Sequence, residues 1–562
     1  GVNTYTGTTT VNGGVLQVDG SIAASSQTTV NNNGVLTGIG TVGNTTIAGG
    51  GSFAPGNTTP GTFTTVSGNL AFQSGALYLV QLDPSTSTLA KVTGTATLNG
   101  AAGAAFLAGN YVQKRYTILT ATGGVAGTFS SFDTLGKPNS IKTSLSYDAN
   151  NVFLDLSIAF GVPGGLNQNQ QNVGNTLTNF FNTTGGIPLA FAMLTPSQLT
   201  QASGELATGS QQATFDAMNL FLGLLTDPFI DGRSSGLGGS AGATPFADES
   251  RASAYAANGQ DAARSAFAKM PVKADVARND LFEQRWSVWG AGYGGGSTTN
   301  GNAALGSNSA NARAFGFVAG ADYLLSPATL VGFALAGGGT NFGVSGFGTG
   351  RSDMFQAGAF MRHTIGAAYV TAAAAYAWQD VTTDRTVAIA GIDRLRAEFN
   401  ANAYSGRVEG GYRFATPWMG ITPYAAGQFT TFSLPAYAEQ VLSGAGTFAL
   451  NYAAKDVTAS RTELGLRSDK SFAVQNGILT LRGRAAWAHD FNTDRNVTAL
   501  FQTLPGASFV VNGATQAHDS ALTTASAEMK WLNGFSLAAT FEGQFSNVTN
   551  SYAGKGVARY SW

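Results

Sequence analysis

From Trp286 to the end of the chain, apolar and polar residues alternate with a period of two. In YSGRVEGGYRF, for example, Tyr404 and Val408 fall on one face and Arg407 falls on the other. This period is the repeat of a β-strand with one apolar face. We predict twelve such strands, near residues 286–294, 312–323, 329–338, 352–363, 366–380, 404–414, 420–433, 461–474, 477–490, 523–531, 535–545 and 555–562.

The connections between these strands alternate in length. The short ones read LLSPA, TI, ATPWM, QN and LNG, and most of the others run past ten residues. Tight turns on one side, longer loops on the other and an even number of strands are typical of an outer-membrane β-barrel. A closed barrel also satisfies every backbone hydrogen bond in lipid. Residues 282–562 are therefore predicted to form a twelve-stranded antiparallel transmembrane barrel.

The alternation also predicts which side chains face the wet lumen of this barrel. We expect ion pairing with one another or with a helix in the pore, rather than substrate recognition, to be their main role. The predicted lumen-facing polar residues are Arg407, Glu409, Arg413, Arg482, Arg484, Glu528, Lys530, Glu542 and Arg559. On the last strand the alternation places Ala558, Tyr560 and Trp562 on the lipid-facing side.

Residues 1 to 100 contain a degenerate repeat in which TTV or TTI recurs at Thr9, Thr28, Thr45 and Thr64. Each is followed by a Gly/Asn-rich turn and a short apolar run, as in the coils of a parallel β-helix. The alternative is a low-complexity Gly/Thr linker. Because four repeats carry apolar residues at matching places, we favour the β-helix, which we take to be right-handed.

Two further stretches complete the organisation. Residues 111–160 contain alternating strands with turns at GG (123) and DANN (148), so 1–160 forms the first domain. Residues 161–281 are a helical and flexible linker with two helix-prone segments, 196–225 and 247–270. A helix that fills a pore should be small and polar, which favours 247–270, although 196–225 remains open.

Composition limits the possible chemistry. Only 11% of residues are charged and the net charge is −1, so no bulk field attracts nucleic acid. There is no cysteine, and the sequence contains no metal-ligand cluster or nucleotide-binding motif. A G-x-S-x-G string at residues 238–242 lies in a Gly/Ser linker, whereas a nucleophile elbow needs a strand before it and a helix after it. We therefore predict no catalytic residues, no metal, no cofactor and no enzymatic activity.

Three stretches resemble classical (type V) autotransporters of Gram-negative bacteria. KRYTILTATGGVAGTFSSF and SLSYDANNVFLDLS resemble the end of the passenger, and RWSVWGAGYGG, FALAGGGTNF and EGGYRF resemble the translocator barrel. The resemblance implies that residues 111–160 cap the β-helix and fold first outside the cell. It implies a cap core formed by Tyr116, Ile118, Phe129, Tyr147 and Phe153.

The resemblance also implies the cellular context. It predicts a monomeric outer-membrane barrel with the passenger on the cell surface or released, and it makes the strand with Ala558, Tyr560 and Trp562 the barrel assembly signal. The implied partners are the lipid bilayer, the barrel assembly machinery and periplasmic chaperones. Because GVNTYTG begins in pattern without Met, we expect further residues upstream.

The sequence therefore favours a module that translocates and anchors its own passenger. The alternative is a surface adhesin, in which the β-helix binds host or surface ligands and the barrel is only an anchor.

Overall fold

The computed structural model describes residues 1–107, 109, 111–160, 165–227 and 285–562. It divides into two compact units. The first unit contains residues 1–202 with segments 388–391 and 503–509, and the second contains residues 203–387, 392–502 and 510–562. No helix among the described residues combines the length and apolar character needed to cross a membrane.

Three sheets of short, mainly parallel strands form most of the first unit, as expected for stacked β-helix coils. The first sheet contains Thr9–Val11, Thr28–Val30, Thr45–Ile47, Leu70–Phe72, Ala96–Leu98 and Val125–Gly127. The second contains Gly14–Gln17, Gly34–Gly38, Ser52–Pro55, Leu77–Leu82, Ala101–Phe106 and Ser131–Leu135. The third contains Ser21–Ile22, Thr41–Val42, Phe63–Val66, Leu89–Val92, Arg115–Ala121, Asn151–Ile158 and Ile141–Tyr147.

The threonine repeat keeps its phase for three of its four members. Thr9, Thr28 and Thr45 are aligned in the first sheet. Thr64 instead lies in the third sheet, and Leu70 takes the place next to Thr45. The inserted GNTTPGT segment, residues 56–62, separates the second-sheet strand from the next strand and shifts the repeat.

The parallel stack ends in antiparallel strands. Asn151–Ile158 pairs antiparallel with both Arg115–Ala121 and Ile141–Tyr147. These strands cover the backbone edge that the last coil would otherwise leave unpaired. A second short pair joins Tyr111–Gln113 to Gly186–Pro188.

The five residues expected in the cap core occupy different environments. Tyr116, Ile118 and Phe129 are buried, and Phe129 stacks on the buried ring of Tyr78 with 5.6 Å between centroids. Tyr147 is half-buried, and its hydroxyl oxygen accepts a hydrogen bond from the backbone N–H of Phe129 at 3.2 Å.

Phe153 lies on the outward face of its strand. Its neighbours Val152 and Leu154 are buried, so the alternation turns Phe153 outward. There the guanidinium carbon of Arg115 lies 4.8 Å from the ring centroid. Phe153 therefore packs under a surface cation rather than within the interior.

In the described part of the chain, four α-helices and one 3₁₀ helix follow the cap. Asn167 caps the first helix with a reciprocal capping box to Gln170. Gly185 ends that helix in the left-handed conformation, with a φ of 78°. The helices are α1 (Gln168–Thr184), α2 (Leu189–Ala192), α3 (Pro196–Ala202), the 3₁₀ helix Glu205–Thr208 and α4 (Gly209–Leu225).

The second unit contains a closed barrel of twelve long antiparallel strands, which confirms the predicted fold class. Closure is direct, because the last strand pairs with the first from Ser561 opposite Ser287 to Thr549 opposite Thr299. The strands are β1 (Trp286–Thr299), β2 (Ala310–Ser326), β3 (Thr329–Val344), β4 (Gly348–Ile365), β5 (Ala368–Ala388), β6 (Ile392–Tyr412), β7 (Gly420–Leu434), β8 (Lys455–Val474), β9 (Gly477–Asp490), β10 (Asp519–Trp531), β11 (Phe535–Phe545) and β12 (Thr549–Ser561).

The two ends of the barrel differ. At the turn end, connections such as 327–328, 366–367 and 475–476 are tight. At the loop end, several stretches expected as loops continue as strand, so β5 and β6 reach 21 residues each. Short strands at this end are Gln440–Ser443, Tyr437–Ala438, Leu450–Tyr452, Asn496–Phe501 and Ser508–Asn512, and Phe414–Ala415 lies at the turn end.

Candidate functional site: the barrel lumen and its helix

Helix α4 packs inside the barrel. It contacts β1, β2, β3, β4, β6 and β7, and Phe221, Leu222 and Leu225 are fully buried. The inner wall that shares its apolar core is rich in small residues: Ala291, Ala312, Ala314, Ala334 and Ala336. An apolar helix gains burial on this wall because alanines leave room for large side chains.

One of the two helix-prone segments lies inside the barrel. α4 belongs to segment 196–225. Segment 247–270, which the sequence favoured, lies outside the described residues, as does the G-x-S-x-G string. The preference rested on a lumen that is polar all round, whereas half of this lumen is apolar.

Polar side chains of α4 also contact the strands. Asp216 Oδ2 accepts a hydrogen bond from Ser297 Oγ at 2.6 Å. Asn219 Oδ1 accepts one from Gln428 Nε2 at 2.5 Å. Gln379 Nε2 donates to Thr214 Oγ1 at 3.0 Å. These contacts lie on β1, β7 and β5, so they define both the height and the rotation of the helix.

A network of buried ion pairs forms the charged side of the lumen. Arg407 donates to both oxygens of Glu463, at 2.9 and 2.8 Å, and also to Glu409 at 2.9 Å. Arg467 donates to both oxygens of Glu409 and to the hydroxyl of Tyr369 at 2.6 Å. Bidentate geometry of this kind holds guanidinium groups in fixed positions.

The other predicted lumen residues have varied surroundings. Arg407, Glu409, Arg482, Glu528 and Arg559 are more than nine-tenths buried. Arg482 pairs with Glu528, and Glu542 lies 2.9 Å from Lys555 and 3.9 Å from Arg484. Arg413, just past the end of β6, pairs with Asp469 at 2.6 Å, and Lys530 is exposed at the turn end.

Several central members of this network were missed from the sequence: Arg461, Glu463, Arg467 and Lys555. The sequence does carry a signal for them, because Arg461, Glu463 and Arg467 are spaced by even numbers of residues in SRTELGLRSD and therefore fall on one face of the strand. The rule that identified Arg407 and Glu409 would have identified them too.

A cavity of about 130 Å³ separates α4 from the charged wall. Asp216, Asn219 and Gly223 line it on the helix, and Arg407 and Glu463 line it on the strands. Its polar lining and size suit several water molecules. The lumen around α4 is therefore packed on one side and wet on the other.

At the loop end, the segment before α4 is tightly enclosed. Gly204 adopts a left-handed φ of 75°, and a Cβ there would overlap Leu450 and Tyr452. The next residue, Glu205, is 1% exposed. Its carboxylate accepts hydrogen bonds from the backbone N–H and the side-chain amide of Asn308, at 2.7 and 2.6 Å.

We predict that Glu205→Gln changes the pH dependence of barrel stability. Burial raises the pKa of Glu205 from 4.5 to about 7, so the folded state binds its proton more tightly than the unfolded chain. The contribution of Glu205 is therefore fully present below pH 4.5 and is lost as pH rises through 7, with a slope of at most ~1.4 kcal/mol per pH unit. The difference in unfolding free energy between variant and wild type, measured from pH 4 to 8, should show this slope. An unchanged difference across that range would contradict the prediction.

The last strand lies as its alternation predicts. Tyr560 and Trp562 are 37% and 49% exposed on the outer face, with stacked rings 5.7 Å apart. Arg559 and Lys555 are buried on the inner face. The backbone N–H of Trp562 donates to the carbonyl of Trp286 at 3.2 Å, so the terminal residue joins the closing seam.

Residues 288–542 match the family model described as the autotransporter β-domain. The barrel is an autotransporter β-domain. The match indicates that the barrel is inserted in the outer membrane and that the passenger is exported. The turn end of the barrel is periplasmic and the loop end is external.

Solved translocator domains are also similar to this chain. That of the autotransporter NalP from Neisseria meningitidis is 16% identical, with a TM-score of 0.40, and the match covers 55% of this chain and 99% of that one. The β-domain of the Bordetella autotransporter BrkA is 17% identical, with a TM-score of 0.39, and covers 50% and 100%.

A curated relative corrects one expectation. A Serratia marcescens protein named "Extracellular serine protease" is 26% identical over 577 residues, which cover 97% of this chain and 53% of that protein. A second match, also to a protein of that name, extends over 197 residues. The expectation that the protein is not an enzyme is wrong in the light of these relatives. The chain spans about half the length of the first of them.

Proposed function

We propose that this barrel moves its own N-terminal β-helix to the cell surface and anchors it there, with α4 remaining in the pore. The observation that carries the proposal is the burial of α4 inside the barrel, on the same chain as the β-helix. With twelve strands, both ends of the barrel domain lie on the periplasmic side. A chain that continues through the lumen reaches the outside by that route.

The same proposal includes the division of the chain into domains and the role of the last strand. Residues 1–160 are the end of the passenger with its cap, 161–281 are the linker, and 282–562 are the translocator. The terminal strand with Tyr560 and Trp562 serves as the signal read by the barrel assembly machinery, with periplasmic chaperones escorting the unassembled chain. The exposed aromatic pair at the closing seam supports this role. The relatives do not favour the adhesin alternative.

Protease treatment of intact cells tests this function. Cells that express the full chain should show residues 1–160 degraded by added proteinase K while the barrel remains folded. In a matched variant that ends before Trp286, the same residues should stay protected until the outer membrane is opened. Protection of residues 1–160 in intact cells with a folded barrel would contradict the proposal.

The names of the relatives support a second proposal: that the protein has serine peptidase activity. Among the described residues, no serine hydroxyl is hydrogen-bonded to His363, His489 or His518. The test therefore uses the protein as the cell makes it. A fluorophosphonate probe should label it covalently, and the absence of labelling in active cultures would contradict peptidase activity.

A further inference from the structure

Near the external end of the barrel, the outer face changes from apolar to charged side chains. On β2, outward residues from Phe315 to Leu325 are apolar or aromatic, and Phe317 is 78% exposed. Eleven residues on a tilted strand span about 25 Å, the height of the lipid-facing band in outer-membrane barrels. Arg313, the next outward residue, therefore stands just outside the membrane interior.

Two arginines flank an asparagine at this level. Arg313 is directly opposite Asn341 on β3, and Asn341 is directly opposite Arg351 on β4. All three side chains are exposed on the outer face. The two arginine backbones are about 10 Å apart, twice the strand spacing, so both guanidinium groups can reach one ligand.

Neither arginine has a partner among the described residues. Arg313 and Arg351 make no ion pair or hydrogen bond to any residue that the structure describes. By contrast, Arg396 on the same outer face pairs with Asp384 at 2.8 Å, and Arg407 and Arg467 in the lumen are paired with carboxylates. Outward carboxylates near Arg351 are Asp353, two residues towards the membrane and opposite Asp380, and Asp384, which is opposite Thr349 and pairs with Arg396.

Below this row, the surface suits acyl chains. Phe317 and Phe355 are 78% and 45% exposed, and they lie directly opposite Gly337 on the two flanking strands. Between them Gly337 has no side chain, and the space where a Cβ would lie is open. The result is a shallow apolar groove two rows below the arginine pair, and Phe315, Gly339 and Asp353 form the row between them.

We propose that Arg313, Asn341 and Arg351 bind the phosphorylated headgroup of an outer-leaflet glycolipid, whose acyl chains lie against the groove at Gly337. Arginine suits this role because its planar fork binds phosphate oxygens in pairs, and Asn341 adds an amide donor between the two forks. The apolar groove distinguishes a lipid from free phosphate. The site lies on the outer face, so it is independent of passenger transport through the lumen.

Binding of lipid A to the folded full chain in neutral detergent with EDTA tests the site. Hexa-acylated, bisphosphorylated lipid A should bind, and R313Q/R351Q should weaken its Kd at least ~10-fold, as expected for loss of charge-assisted hydrogen bonds. R313K/R351K keeps the charges and should retain most of the affinity. The control R394Q/K470Q removes two exposed charges elsewhere and should stay within about twofold of wild type. Heat-modifiable gel mobility verifies that each variant is folded.

The substitution Asp353→Asn should change the affinity for lipid A in the opposite direction. If phosphate contacts the arginines directly, removal of the neighbouring negative charge should tighten binding severalfold. Weaker binding of D353N would indicate a different contact and overturn the proposal. Unchanged binding of R313Q/R351Q, or equal binding of dephosphorylated lipid A, would also overturn it. Displacement of the lipid by equimolar inorganic phosphate would assign the site to free phosphate instead.

Discussion

Replacing Glu409 with alanine should lower the free energy of unfolding of the barrel by about 3–5 kcal/mol, the usual effect of breaking a buried ion pair. Glu409 is 1% exposed and accepts hydrogen bonds from Arg407, Arg467 and Tyr369. Arg407 keeps both bonds to Glu463 in the variant, whereas Arg467 loses its carboxylate partner. Urea unfolding in detergent, followed by heat-modifiable gel mobility, measures the loss.

Two further variants show whether the loss comes from the unpaired Arg467. Glu398→Ala removes an exposed carboxylate 3.9 Å from Arg396 and should change stability by less than ~0.5 kcal/mol. The double variant E409A/R467M should recover part of the loss, because it also removes the isolated charge. Equal losses in E409A and E398A would show that the lumen network does not stabilise the barrel.

Replacing Trp562 with aspartate should reduce folded barrel in the outer membrane severalfold while leaving refolding in detergent nearly unchanged. Trp562 lies at the periplasmic edge of the barrel, where a charged residue on the lipid face costs only about 0–1 kcal/mol. That penalty is too small to prevent folding. A large loss in cells therefore reflects recognition of the strand by the assembly machinery. Heat-modifiable barrel in membrane fractions and refolding yields in detergent are compared.

Ser561→Asp is the matched control, since it places the same charge next to Trp562 on the inner face. It should assemble better than W562D. Trp562→Phe keeps an aromatic ring and should assemble like wild type. Equal membrane levels of W562D and wild type would contradict the signal role.

The strands could be predicted well because lipid and water face opposite sides of every strand. Polar side chains such as Arg407 and Arg559 cannot face lipid, so the period of two gives both the strand and its register. The external strand extensions could not be predicted this way. Beyond the apolar band the pattern inverts, because Leu395 and Phe399 are buried on the inner face of β6 whereas Arg394 and Glu398 are exposed on its outer face.

The helix in the pore was harder to predict for a different reason. Which segment fits the pore depends on the inner wall of β1 to β4, where Ala291, Ala312 and Ala334 come together from separate strands. Short apolar residues facing inward are visible in the sequence, but their meeting on one side of the lumen depends on the closed barrel. Phe153 could have been placed from the sequence, because Val152, Leu154 and Leu156 share the face of the strand opposite to it.

The central claim is that α4 lies inside the barrel in the anchored protein. Because the chain has no cysteine, an engineered pair reports on this directly. Asp216 Oδ2 and Ser297 Oγ are 2.6 Å apart, whereas Thr298 is exposed on the outer face of the same strand. In outer membranes treated with an oxidant, D216C/S297C should form a disulfide that shifts gel mobility, and D216C/T298C should not. No disulfide in D216C/S297C, or equal formation in both pairs, would contradict the account.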